Sequence, residues 1–287
     1  TGRLTMERAS IYDFIALMMA NLAERPMPFA ARALARSRRL VRPLVQFNSQ
    51  LRARENVHHH YDIDPRIYDL FLDPDKQYSC AYFAEPGMSL ADAQAAKKRH
   101  IAAKLALEPG QRVLDIGCGW GGLAMYLARA AGVSVTGVTL SDEQIKVART
   151  RARAGLDPQS GSPTFELTDY RDIEETFDRI VSVGMFEHVG LPHYRTFFTQ
   201  IAKMLAPDGA ALIHTIGRTD EPWGTNPFIA RYIFPGGYIP ALSEIMTAVE
   251  RSGLIVTDVE VLRLHYAETL RAWRRRFLAN RPHAVEI

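Results

Sequence analysis

Residues 112–122 constrain the fold more than any other stretch of the chain. Val113-Leu114-Asp115-Ile116 reads as a short buried strand, and it runs directly into Gly117-Cys118-Gly119-Trp120-Gly121-Gly122. Apolar residues then recur at helical spacing from Gly121 to Ala131. A strand that feeds a helix through glycines leaves the backbone free to turn sharply and to approach a ligand closely. The downstream sequence keeps alternating. We expect strands at Arg112–Ile116, Val133–Leu140, Thr164–Leu167, Ile180–Val183, Ala210–Ile216 and Ile255–Val261. Helices are expected at Ser89–Leu107, Gly121–Ala131, Asp142–Ala154, His193–Leu205 and Leu242–Arg251. This alternation predicts an α/β fold, a doubly wound and mainly parallel sheet.

A strand–glycine–helix turn is the setting of a nucleotide site. The glycines alone leave a dinucleotide and S-adenosylmethionine both open. Dinucleotide folds favour G-x-G-x-x-G/A with an acid ~20 residues on. Here the spacing is G-x-G-x-G-G, and the second strand ends in Thr139-Leu140-Ser141, which disfavours NAD.

Residues 1–55 read as a basic helical extension. Ile11–Ala20 is apolar, but it is shorter than the ~18–20 residues of a membrane span and contains Asp13, so it fits an amphipathic helix. Between Arg25 and Arg54 there are eight arginines and no acidic residue. Met27, Phe29, Leu40, Val41 and Phe47 are interleaved, and Pro26, Pro28 and Pro43 divide the stretch into short helices. Two readings stay open for it: a solvated extension, or a surface for anionic lipid headgroups at about 1 kcal/mol per arginine. The net charge of the 287-residue chain is only +3, so no nucleic-acid partner is expected. Two cysteines make no disulfide framework and point to a reducing, cytoplasmic compartment. His58-His59-His60 cannot converge on one centre from a regular helix, and no metal site is expected. The start at Thr1 and the stop at Ile287, soon after an Arg-rich helical run, suggest a piece of a longer protein.

Further segments are more specific in combination. They are His59-His60-Tyr61-Asp62, Gln77-Tyr78-Ser79-Cys80-Ala81-Tyr82-Phe83, Val113–Gly122, Gly137-Val138-Thr139-Leu140-Ser141-Asp142-Glu143-Gln144 and Val181–Gly190. Leu212–Gly217, Tyr232-Ile233-Phe234-Pro235 and His265-Tyr266 before Leu270-Arg271-Ala272-Trp273 follow in order. Their order and spacing closely resemble the cyclopropane-fatty-acyl-phospholipid synthases and the related mycolic acid cyclopropane synthases. The resemblance covers residue 56 to the end, and implies a seven-stranded, Rossmann-like S-adenosylmethionine-dependent methyltransferase domain over 56–287.

The resemblance also implies the site. Tyr78 and Ser79 approach the methionine end of the cofactor. The strand end and turn, with Asp115, Gly117, Cys118, Gly119 and Gly121, meet its amino-acid portion. Thr139, Leu140 and Gln144 surround the ribose and adenine, and Tyr170 and Arg171 form the adenine-side loop. The family holds a bicarbonate ion as a base. Its side-chain contacts match Cys80, Glu187, His214 and Tyr266, with His188 a neighbouring candidate. Singly, each of these has a plain packing or surface reading. Cys118, inside the glycine turn, reads as a small packing residue.

The chemistry implied is demanding. An alkene is a weak nucleophile, methyl transfer to it leaves a carbocation, and ring closure needs a proton removed from the new methyl group. The site must therefore be apolar and dry apart from one polar cluster. Glu221–Pro240, with Trp223, Phe228, Ile229, Tyr232, Ile233, Phe234, Tyr238 and Ile239, reads as a lipid-site insertion. It would either cap the core or wall an acyl tunnel. The partners implied are an unsaturated phospholipid acyl chain and the inner face of the membrane, bound peripherally; a homodimer is possible. Family members continue past this point with a further cysteine, a helix and a final strand. Methyl-branching chemistry and an inactive lipid- or cofactor-binding fragment therefore remain alternatives.

Overall fold

The computed structural model describes residues 5, 7–8, 10–23, 64–155, 161, 163–222, 224–226, 228–229, 231, 234 and 236–287. The Arg25–Arg54 segment, the His58–His60 run, Tyr61, Asp62, Trp223, Tyr232, Ile233 and Pro235 lie outside the described residues. Residues 1–42 and 43–287 form two compact units.

In the first unit, helix α1 spans Ile11–Ala23. Ser10 and Asp13 cap it reciprocally: Ser10 Oγ accepts from the Asp13 N–H at 3.2 Å, and Asp13 Oδ2 accepts from the Ser10 N–H at 2.9 Å. Ile11, Tyr12, Ile15, Leu17, Met18 and Met19 are all exposed.

The second unit opens with α2 (Pro65–Asp69) and α3 (Leu90–Lys104). Then come β1 (Arg112–Ile116), α4 (Gly122–Ala131), β2 (Ser134–Thr139), α5 (Asp142–Ala154) and β3 (Pro163–Leu167). After them follow β4 (Phe177–Val183), α6 (Tyr194–Met204), β5 (Leu205–His214), α7 (Leu242–Glu250), α8 (Arg263–Ala279) and α9 (Arg281–Glu286). The strands form one parallel sheet in the order β3-β2-β1-β4-β5.

The strand period of two divides the core. Val113 and Val181 face Leu123 and Leu127 of α4 and Ile145 of α5. Their neighbours Leu114 and Ile180 face Phe197, Ile201 and Met204 of α6 on the other side. Both faces of the central strands are covered, as parallel sheets require. A third cluster, with Tyr68, Leu72, Trp120, Ala272 and Trp273, joins α2 and α8 to the glycine turn. Tyr78 packs 5.3 Å from Trp273, which ties the loop after α2 to this cluster.

All but one of the expected elements form, with differences in extent: β4 starts at Phe177 rather than Ile180, and α3 ends at Lys104 rather than Leu107. Strand β5 starts at Leu205 rather than Ala210, because Phe177 already pairs with Leu205 ahead of an irregularity in the β4–β5 register. The expected strand at Ile255–Val261 does not form. Alternating apolar residues suit a strand, but a ladder needs a neighbour, and this segment pairs with none among the described residues. Ile255 is 86% exposed. Asp258 and Glu260 instead form ion pairs with Lys104 of α3, and Glu260 also meets His100. The sheet therefore has five strands among the described residues, against the seven implied by the resemblance.

Candidate active site

The carboxyl ends of β1, β2 and β4 open onto one cavity. Its lining includes Tyr78, Ser79, Asp115, Gly117, Cys118, Gly119, Thr139, Leu140, Gln144, Tyr170 and Arg171, so every cofactor candidate except Gly121 is there. Gly119 has φ +55°, and a Cβ added to it would meet nothing within 4 Å. Gly121 has a different task. It is the N-cap of α4 at φ +80°, and a Cβ there would lie 2.7 Å from Phe165. Its role is to let the helix start close against β3, behind the cavity.

The far side of the cavity is built by short polar links. Thr139 Oγ1 donates to Gln144 Oε1 at 2.9 Å and accepts from the Ser141 N–H at 3.2 Å. Ser141 in turn caps α5. Gln144 thus has its carbonyl engaged, and its amide N–H groups remain for a ligand. Arg171 is bound by two parallel hydrogen bonds to Asp169, at 2.8 and 2.6 Å. The sequence reading missed Asp169, which also caps the short turn carrying Tyr170 and Arg171. Cys118 is buried in the core, and burial pushes its thiol well up, in keeping with a packing role.

Beneath the loop of Tyr78 and Ser79 lies a feature that the sequence reading did not single out. Lys97 of α3 is only 2% exposed. Its ammonium donates to Ser79 Oγ at 2.6 Å and to Gln77 Oε1 at 2.8 Å. Gln94, one turn earlier, donates to the backbone carbonyls of Gln77 at 3.2 Å and Ser79 at 2.9 Å. Burial pushes the Lys97 ammonium down to about 7, and the Asp73 carboxylate opposes this. Asp115 is 1% exposed and its Oδ2 has no partner among the described residues. Burial pushes its carboxyl up to about 7, against the influence of Lys97.

The second candidate group, Cys80, Glu187, His214 and Tyr266, lies outside the lining of that cavity. Cys80 is buried, which pushes its thiol up to about 11; it is a protonated donor rather than a thiolate. Thr269 of α8 lies within hydrogen-bonding reach of it. Tyr266, one turn before Thr269, is raised by burial and by the proximity of Tyr78, Glu187 and Cys80. Glu187 is 3% exposed. Its Oε1 accepts from the Ile216 N–H at 2.6 Å, and its Oε2 is buried with no partner among the described residues. His214 ends β5, two residues before Ile216, and its Nδ1 is likewise buried without a partner. His188 lines the first cavity and packs against Phe234, with the ring centroids 4.3 Å apart and the planes tilted by 34°. Tyr238, from the Glu221–Pro240 insertion, is buried and its N–H donates to the Glu187 carbonyl at 3.0 Å, whereas Phe228 is exposed.

Burial, with the charge of Lys97 adding, pushes the His214 imidazole down to about 4. An unfolded histidine takes up its proton near pH 6.5. The contribution of His214 to stability is therefore intact above pH 6.5 and is lost as pH falls from there toward 4. The ring-carbon NMR shifts of His214 are expected to stay those of a neutral imidazole from pH 7.5 down to about 5. A midpoint near 6.5 would show that the ring is not enclosed.

Comparison with known proteins places the sequence and the fold. The sequence profile of the mycolic acid cyclopropane synthetase family matches residues 48–287. The chain is 45% identical over 242 residues to the cyclopropane-fatty-acyl-phospholipid synthase of Escherichia coli K12, covering 84% of this chain and 61% of that protein. It is 43% identical to a probable fatty acid methyltransferase of Pseudomonas putida, covering 80% and 59%. The chain thus spans about three fifths of the length of these curated relatives. Among solved structures, the mycolic acid cyclopropane synthase CmaA1 complexed with SAH and CTAB superposes with a TM-score of 0.75 at 36% identity, covering 81% of this chain and 86% of that one. By sequence over most of its length, and by fold, this chain belongs to the mycolic acid cyclopropane synthetase family.

Proposed function

We propose that the protein adds a methylene bridge from S-adenosylmethionine across the double bond of an unsaturated phospholipid acyl chain, giving a cyclopropane fatty acid. The observation that carries this reading is the pair of buried polar atoms, Glu187 Oε2 and His214 Nδ1, that have no partner among the described residues, in a group whose Tyr266 lies near Cys80, Glu187 and the cavity-lining Tyr78. Nitrogen methylation needs no base to take a proton from the transferred methyl group; ring closure does.

S-adenosylmethionine, when bound, supplies an electrophilic methyl group. The chain's part is to bind, orient and keep dry. Tyr78, Ser79 and the glycine turn suit the amino-acid end, Thr139 and Gln144 the ribose, and Tyr170 with the Asp169–Arg171 pair the adenine side. Cys80 and Tyr266 hold their protons and can donate. Neutral His214 can donate from one nitrogen and accept at the other, and Glu187 Oε2 can accept. That donor and acceptor set fits a bicarbonate ion, which would supply the base. The burial of Cys80 and Glu187, with His214 and Tyr266 half-buried, limits the water that would quench a cation on the substrate.

The substrate's acyl chains lie in a bilayer. Among the described residues no helix is long and apolar enough to cross a membrane. The exposed apolar face of α1 and the arginines between Arg25 and Arg54 support peripheral docking on the inner face of the membrane. The test uses vesicles of unsaturated anionic or neutral phospholipid with S-adenosylmethionine, followed by mass spectrometry of the acyl chains. The expected product has gained one carbon and two hydrogens, and resists ozonolysis because the double bond is gone. The protein should cosediment with the anionic vesicles, less so at high salt. A product of the same mass that ozonolysis still cleaves would replace ring formation with methyl transfer to the alkene, the reading that the Pseudomonas putida relative favours. No product would overturn both.

A further inference from the structure

We propose that Lys97, supported by Gln94, is a positioning residue: it fixes Ser79 as a hydrogen-bond donor to the carboxylate of the amino acid carried by the cofactor. The proposal rests on the cofactor reading given above. It assigns the orientation of the amino-acid end to a buried cation that never reaches the cavity itself.

The argument is one of hydrogen-bond direction. An ammonium has protons to give and no lone pair to offer. Ser79 Oγ, 2.6 Å from Lys97 Nζ, is therefore the acceptor whenever Lys97 carries its proton, the form that a bound carboxylate favours. The serine's own proton has no acceptor among the described residues, and Ser79 lines the cavity. That proton is left for a ligand, so Ser79 must donate. A ligand carboxylate satisfies it; a ligand ammonium does not. The same logic holds for Gln77. Its Oε1 accepts from Lys97, which turns its amide nitrogen toward Asp75 Oδ2 at 3.1 Å and fixes the side chain.

Gln94 completes the support. Its side-chain amide holds the carbonyls of both Gln77 and Ser79, so the loop cannot shift along α3. Positions 94 and 97 lie one turn apart on one helix face, which is why one rigid element can clamp both backbone and side chain. The Asp115 carboxyl, near the end of β1, lines the same cavity. A cation behind Ser79 and an acid at the strand end make a receptor with two poles. A zwitterionic amino acid bound with its carboxylate at Ser79 and its ammonium toward Asp115 matches both. A carboxylate bound across Ser79 would also favour the charged form of Lys97, offsetting the effect of burial.

The test compares two probes by calorimetry on the full chain. S-adenosylhomocysteine carries the amino acid, and 5′-methylthioadenosine lacks it. Lys97→Met keeps the length and removes the charge and the donors. We expect it to weaken S-adenosylhomocysteine by about 10- to 100-fold and to leave 5′-methylthioadenosine within about twofold. Ser79→Ala should show the same selective loss, and the double variant should lose little more than either single one. Equal weakening of both probes by Lys97→Met, or an unchanged affinity for S-adenosylhomocysteine in a folded variant, overturns the proposal. If Lys97→Met fails to fold, Lys97→Gln takes its place, with the same selective loss expected and an unchanged affinity for S-adenosylhomocysteine overturning the proposal. Failure of the unaltered chain to bind S-adenosylhomocysteine at all would overturn the cofactor reading instead, a separately recognisable result.

Discussion

Glu187→Gln is expected to lower ring formation by about 100- to 10,000-fold, the range of a lost general acid–base contribution, with S-adenosylhomocysteine affinity unchanged within about twofold. The two carboxylate oxygens have different duties. Oε1 accepts from the Ile216 N–H at 2.6 Å and fixes the side chain between β4 and β5. Oε2 is buried and unpartnered among the described residues. An amide keeps the first interaction through its oxygen and puts two protons where the second acceptor stood. The fold should survive, because burial already pushes the Glu187 carboxyl up and disfavours the charge that the substitution removes. Thermal unfolding should therefore show no loss of stability. On the proposed reading the variant would lose an acceptor for the hydroxyl of a bicarbonate ion, and with it the group that would hold the base in place. Activity within about threefold of the unaltered chain, in a folded Glu187→Gln variant, would remove Glu187 from the chemistry.

The parts of this site that were readable in the sequence are the parts built locally. Gly117–Gly122 follows a strand and opens a helix within ten residues, so the turn, its strand and the direction of α4 come from one short segment. Thr139 and Gln144 are likewise a strand end and the first turn of the next helix. Lys97 was not readable. In the run Lys97-Lys98-Arg99 it looks like one of three solvated charges in the later part of a helix. Only the packing of α3 beneath the Gln77–Ser79 loop separates it from Lys98, which reaches outward to pair with Asp75. The Ile255–Val261 strand failed for a related reason. Its alternation was present, but a strand is defined by its neighbour, and no local pattern reports whether one is there. At Gly121 the structure adds a packing requirement that no local pattern reports, since a Cβ there would meet Phe165 of β3.

The cavity assignment itself is most sharply tested at Gly119. Gly119→Val is expected to weaken S-adenosylhomocysteine at least ~100-fold, about 2.7 kcal/mol at 25 °C. Gly119 sits at φ +55° and a Cβ built on it points into open space on the cavity side of the turn. The space is what a ligand needs when it lies directly on backbone amides, and a branched side chain fills it. The left-handed backbone adds a cost of roughly 1–2 kcal/mol to any residue with a Cβ, so a loss of binding alone would not separate blockage from strain. Gly132 supplies the control. It is the left-handed C-cap of α4 at φ +63°, at the other end of the helix from the cavity, and its Cβ would make only ordinary contact with Pro109 at 3.7 Å. Gly132→Val carries the same backbone penalty without touching the site. The two variants should therefore lose similar stability in urea unfolding, while only Gly119→Val loses the ligand. Equal affinity in both would place the cofactor away from the glycine turn, and with it every residue assigned to its amino-acid end.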